Sequence, residues 1–146
     1  MNKNNIEILF AEDSIDDATL TIRALKKGGL SNSILHVKNG AEALDFMYGN
    51  GVYAARDTKI HPKVILLDLK MPKVSGMEVL KKVKSDPNLK SIPVVILTSS
   101  KEDPDIKLCY ELGANSYIVK PVESDNFFHS IKDLGLYWMI LNQPPQ

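Results

Sequence analysis

The sequence predicts a doubly wound α/β fold, a five-stranded parallel sheet with helices on both faces. Two observations carry this. Short apolar runs rich in β-branched residues recur: IEILF (6–10), SILHV (33–37), VILLD (64–68), PVVILT (93–98) and SYIVK (116–120). Most lack polar–apolar alternation, as strands covered on both faces do. A stretch of helical periodicity with recognisable ends follows each run, and such alternation implies parallel pairing through crossover helices.

The elements follow in order. The first run leads to residues 14–27, where Ser14 and Asp17 stand close to capping-box spacing. Ile15, Ala18, Ile22 and Leu25 form the apolar stripe, and Gly28-Gly29 ends it. SILHV, the weakest strand, precedes Asn39-Gly40 and a shorter stripe over 40–48. The segment GNGVYAARDTKIHPK (49–63) is an insertion, long for a helix-to-strand link, and such loops are often functional or mobile. VILLD leads into a helix over 76–85, opened by Ser75 and Glu78 and closed by Asp86-Pro87. Beyond PVVILT, Asp103-Pro104 reads as N-cap and first helical position of a helix over 104–112, with Gly113 as its terminator. SYIVK leads to a last helix over 124–141, carrying Phe127, Phe128, Ile131, Leu134 and Trp138 at helical spacing.

A chain of 146 residues is one domain's worth, 1–146, and can bury a real core. Eighteen basic residues balance eighteen acidic ones, which argues against a general electrostatic grip on nucleic acid or on anionic membrane. The single cysteine, Cys109, fits a reducing compartment and reads as a small packing residue. The N-terminus has no signal-peptide pattern, and no window reaches the roughly 18 apolar residues of a membrane span. A cytoplasmic location is expected. His36, His61 and His129 lie away from the strand exits and read as structural or surface residues, and Lys81-Lys82-Val83-Lys84 as a solvated helix face.

In open parallel sheets, sites form outside the carboxyl ends of the strands. The first strand exits into Glu12-Asp13, the third at Asp68, the fourth at Thr98 and the fifth at Lys120-Pro121. Taken singly, each residue has an ordinary role as a cap, turn or solvated charge. Together they bring three carboxylates, a hydroxyl and an ammonium to one rim. Crowded acids raise one another's pKa unless a cation sits among them, and a few carboxylates with the remaining positions left to water suit Mg²⁺. A carboxylate beside such a cation can take a phosphoryl group, with Lys120 pairing a phosphoryl oxygen and Thr98 donating a hydrogen bond. Asp68 is then the nucleophile.

The acidic pair Glu12-Asp13 and the runs LLDLKMPKVSG, PVVILTSS and YIVKP, in this order, resemble the receiver domain of bacterial two-component response regulators. That is the CheY-type, flavodoxin-like (βα)5 fold, and the resemblance covers a core of about 5–140. It implies that Asp68 is the phosphoacceptor, charged from the phosphohistidine of a sensor histidine kinase. Asp13, Asp68 and Glu12 are implied as Mg²⁺ ligands, Glu12 through a water, together with the main-chain carbonyl of Lys70. Lys120 is implied to pair the phosphate, Thr98 and Tyr117 to form the switch, and Pro121 to be cis. The resemblance implies a signalling phosphoprotein rather than an enzyme, beyond its own dephosphorylation.

A narrower likeness rests on the long loop before VILLDL, the run KSDPNLKSIPVVILTSS and the aromatic-rich ending. These look like stand-alone regulators that partner bacterial phytochromes. No output domain is expected, so the signal leaves by protein contacts. Homodimerisation and onward transfer to a histidine phosphotransfer protein are the two routes. A docking receiver that is never phosphorylated is the first alternative. An aspartate-nucleophile phosphatase would need an Asp at position 70, which is Lys; a flavodoxin-like binder would need a phosphate cradle where Ala11 to Asp17 carry acids.

Overall fold

The computed structural model describes residues 6–27, 33–99, 103–126 and 129. Strands β1 (Ile8–Ala11), β2 (Ile34–Val37), β3 (Val64–Leu67), β4 (Val94–Thr98) and β5 (Ser116–Val119) form one sheet in the order β2-β1-β3-β4-β5. All four pairings are parallel. Helices α1 (Ile15–Lys27), α2 (Gly40–Tyr48), α3 (Gly76–Ser85) and α4 (Asp103–Glu111) follow the first four strands. A further helix begins at 124–126, and most of the predicted 124–141 helix, including Phe127, Phe128, Ile131, Leu134 and Trp138, lies outside the described residues. So does the Gly28-Gly29 stop of α1.

The missing alternation has its explanation in the two cores. Leu9, Ala11, Ile65, Leu67, Val94 and Ile96 point to one face, under Phe46, Val79, Leu80, Val83 and Cys109. Ile8, Phe10, Val64, Leu66, Val95 and Leu97 point to the other, against Ala18 and Leu25 of α1. Side chains alternate between the faces, but both faces are apolar. Each such aliphatic side chain contributes about 1.5–3 kcal/mol by leaving water.

The caps match the sequence. Ser14 Oγ accepts from the Asp17 amide at 3.2 Å, Asn39 Oδ1 from the Glu42 amide at 2.9 Å, and Ser75 Oγ from the Glu78 amide at 3.2 Å. Three expectations need correction. Ile15 is 65% exposed and does not join the α1 stripe, which Thr21 completes instead, because the helix has just left the sheet's rim there. Lys84 is half-buried rather than simply solvated: its ammonium donates to the carbonyls of Lys90 and Ile92 and to Asn115 Oδ1. Burial lowers its pKa, and the three oxygens answer its charge. α4 also begins at Asp103 itself, one residue before its predicted first position.

The 49–63 insertion is folded rather than open. It holds a short 3₁₀ turn, Gly51–Tyr53, and is tied down by Arg56, which is 8% exposed. The guanidinium lies 4.0 Å over the Phe46 ring and donates to the carbonyls of Phe46 and Ile60. Tyr53 meets the same ring edge-on at 5.3 Å. At the opposite end of the sheet, Gly76 opens α3. A Cβ there would fall 1.9 Å from the carbonyl oxygen of Asp68, so only glycine lets the helix start against the exit of β3.

Candidate functional site

The chain reverses its direction of travel across the sheet at β1, which has β2 on one side and β3 on the other. Ligand crevices form at such a point, outside the strands' carboxyl ends. The register lays the exits side by side: Ala11 pairs Leu67, and Thr98 pairs Val119. The ladder runs on briefly past the strands, with the Asp68 amide donating to Ala11 at 3.0 Å and the Lys120 amide to Thr98 at 2.8 Å.

The three carboxylates and the ammonium that the sequence assigns to this rim are brought together there. Carboxylate oxygens of Glu12, Asp13 and Asp68 all lie within 4.8 Å of one another. Glu12 and Asp68 are buried and Asp13 is exposed. Lys120 reaches across the sheet into the group, touching Glu12 directly, Asp17 Oδ2 at 3.0 Å and Asp68 Oδ2 at 3.2 Å. Its following bond, Lys120–Pro121, is cis. The Lys70 amide donates to Asp68 Oδ1 at 3.3 Å, while the Lys70 side chain points to solvent.

Thr98 is 1% exposed at the end of β4. Tyr117 pairs Ile96, two residues before Thr98, so both belong to the same side of the sheet, where Tyr117 packs partly buried against the core.

The electrostatics follow from burial. Loss of water pushes the Glu12 carboxyl up to about 7; Lys120 opposes that rise and Asp68 adds to it. Burial alone would lower the Lys120 pKa, but the contacts to Glu12, Asp17 and Asp68 more than reverse it and raise it. Three carboxylates thus converge on one ammonium, with Asp13 a fourth acid beside two of them. The donor set is all oxygen and in excess of the positive charge, which fits a hard divalent cation.

Two residues of the site were not anticipated. Asp17 enters from the first turn of α1 as a partner of Lys120; the Ser14 cap three residues before it is the signal that places it at the helix's rim end. His36 of β2 sits 2.7 Å from the main-chain carbonyl of Glu12. It is structural, as its position suggested, but its contact is with the site.

The sequence matches the family described as the response regulator receiver domain over residues 8–132. A solved structure named as the bacteriophytochrome response regulator RtBRR superposes with a TM-score of 0.83 and 51% identity, covering 94% of this chain and 82% of its own. The response regulator Rcp1 of Synechocystis is 35% identical over 90% of this chain and 88% of its own length. A structure described as the Mn²⁺-bound form of Rcp1 superposes with a TM-score of 0.74 at 34% identity, covering 95% of this chain and 98% of its own. A structure described as the phosphorylated cyanobacterial phytochrome response regulator RcpA gives 0.74 at 36%, covering 95% and 97%. Among the described residues no helix is long and apolar enough to cross a membrane. With its five-stranded parallel sheet and its acidic rim, the chain belongs to the family of response regulator receiver domains, the phosphoryl-accepting modules of two-component signalling.

Proposed function

We propose that Asp68 is the phosphoacceptor and that Glu12, Asp13, Asp68 and the carbonyl of Lys70 hold Mg²⁺ beside it. The observation that carries this is the placement of the Asp68 carboxylate between the Lys120 ammonium, at 3.2 Å, and the acidic pair at the exit of β1. That Rcp1 has a Mn²⁺-bound form supports a divalent cation in this family member as well. When bound, the cation neutralises charge on phosphoryl oxygens.

The rest is done by the chain's own groups. One Asp68 oxygen attacks the phosphorus of a kinase phosphohistidine; the P–O bond forms as the P–N bond breaks, and the histidine leaves with its electron pair. Lys120 moves from its acids onto a phosphoryl oxygen, and the Thr98 hydroxyl donates to another. Thr98 and Tyr117 share one face, so a shift of Thr98 opens room for the ring, altering the surface of α4 and β5. Reversing a 1:99 population takes about 5.5 kcal/mol. A few charge-assisted hydrogen bonds of about 1.5–3 kcal/mol each supply it.

The donor is a sensor histidine kinase, and the names of RtBRR and RcpA favour a phytochrome. The altered face serves a homodimer or delivery to a histidine phosphotransfer protein. The protein works in the cytoplasm, where the ATP that charges such kinases is found, and as a switch rather than an enzyme. Acetyl phosphate with Mg²⁺ should add one acid-labile phosphoryl group, seen by intact mass. Asp68→Asn should abolish the adduct with the fold retained by circular dichroism. An adduct on that variant overturns the assignment.

A further inference from the structure

His36 is the next-to-last residue of β2, the edge strand, and pairs Phe10 in register. Its ring is tilted against the Phe10 ring at 5.6 Å, which fixes the imidazole's direction. Nε2 then lies 2.7 Å from the carbonyl oxygen of Glu12. A carbonyl oxygen only accepts, so Nε2 carries the hydrogen, whichever state the rest of the ring is in.

β2 therefore grips Glu12 on both sides of its Cα. The Glu12 amide donates to the carbonyl of Val37 at 3.0 Å, one bond past the end of the β1–β2 ladder. The strand ends at Val37, and the imidazole acts as donor to the next peptide unit. That unit is shared: its carbonyl belongs to Glu12 and its amide to Asp13. Its plane sets the direction in which Asp13 leaves the chain. The Glu12 side chain is held separately, by the Ser14 amide at 3.2 Å and by Lys120. Asp13, exposed at the lip of the rim, depends more on the direction of its backbone.

We infer that His36 is a positioning residue for the cation site: it holds the Glu12–Asp13 peptide so that Asp13 faces Asp68. This rests on the reading of Glu12, Asp13 and Asp68 as the cation's ligands. His36 itself is no ligand, because Nε2 is committed to the carbonyl. Groups that orient metal ligands typically change affinity by about 10–100-fold when removed.

The test is Mn²⁺ titration of the purified full chain, read from the electron paramagnetic resonance signal of free Mn²⁺, for wild type, His36→Phe and His36→Gln. Phenylalanine keeps the ring against Phe10 and removes the donor; glutamine keeps an N–H at about the reach of Nε2. We expect His36→Phe to weaken Mn²⁺ on the order of tenfold, and His36→Gln to recover most of that loss. The Mg²⁺ concentration for half-maximal phosphorylation by acetyl phosphate should rise in step. Should the phenylalanine variant not fold, His36→Asn, whose shorter amide cannot reach the carbonyl, takes its place with the same expected loss. Equal Mn²⁺ affinity in wild type and the donor-less variant overturns the role of His36 while leaving the cation site standing. So does equal weakening by Phe and Gln. A wild type that does not bind Mn²⁺ overturns the site, and this role with it.

Discussion

Asp68 is legible from sequence because a carboxylate at the end of an apolar strand needs a reason, and three neighbouring exits supply one. Tyr48 is the opposite case. It looks like one more apolar residue on the α2 stripe, yet its hydroxyl donates to Asp86 Oδ2 at 2.6 Å, joining α2 to the end of α3. Burial and that bond push the Tyr48 hydroxyl up to about 12, and the same bond lowers the Asp86 carboxyl. The two shifts set opposite limits. The Asp86 contribution is present above its ordinary pKa and lost as pH falls into the acid range. The Tyr48 contribution is complete below pH about 10 and lost as pH rises towards about 12. Tyr48→Phe should cost about 1 kcal/mol at pH 7, discounted for partial exposure. It should also flatten the alkaline limb of a stability profile from urea melts; an unchanged alkaline limb contradicts the assignment.

At the scale of elements, the strands were readable because both faces of the sheet are buried, and the helices because Ser14 and Ser75 cap them as their spacing implies. The insertion was not readable. Its order comes from one arginine, and nothing local distinguishes an arginine that folds back under a phenylalanine from one in solvent. Arg56→Met should leave the carbonyls of Phe46 and Ile60 without their donor and cost about 2–4 kcal/mol. Hydrogen exchange should quicken across 50–60 while the amides of β1 and β3 keep their protection; uniform loss across the sheet contradicts a local clasp. Gly76 is a second case, legible as a break but not as a contact. Gly76→Ala must displace the Asp68 backbone, so it should cost more than about 2 kcal/mol and slow phosphorylation by acetyl phosphate. Normal rates in that variant would show that the start of α3 and the acid move independently.

Over the whole molecule, the parallel register converts sequence order into a site. Residues as distant in the chain as Glu12 and Lys120 meet because each follows a strand by one position. That is why the rim could be read from strand exits alone. Asp17 and His36 escaped because they reach the rim sideways, from a helix face and from an edge strand's side chain. Sequence spacing encodes the first only weakly and the second hardly at all.

The grip of Lys120 on Glu12, Asp17 and Asp68 has a last consequence. The ammonium is a resident counter-ion, and under the proposed function an arriving divalent cation competes with it for the same oxygens. Affinity for the cation is thus the difference between two attractions, and the lysine sets the threshold at which the rim fills. Lys120→Met should therefore bind Mn²⁺ more tightly, on the order of tenfold, and yet accept phosphate more slowly; weaker binding by this variant would contradict the competition. On the proposed reading, the charge that pairs the phosphoryl group is also the rim's gatekeeper, and a cation of like sign must displace it from its acids to enter.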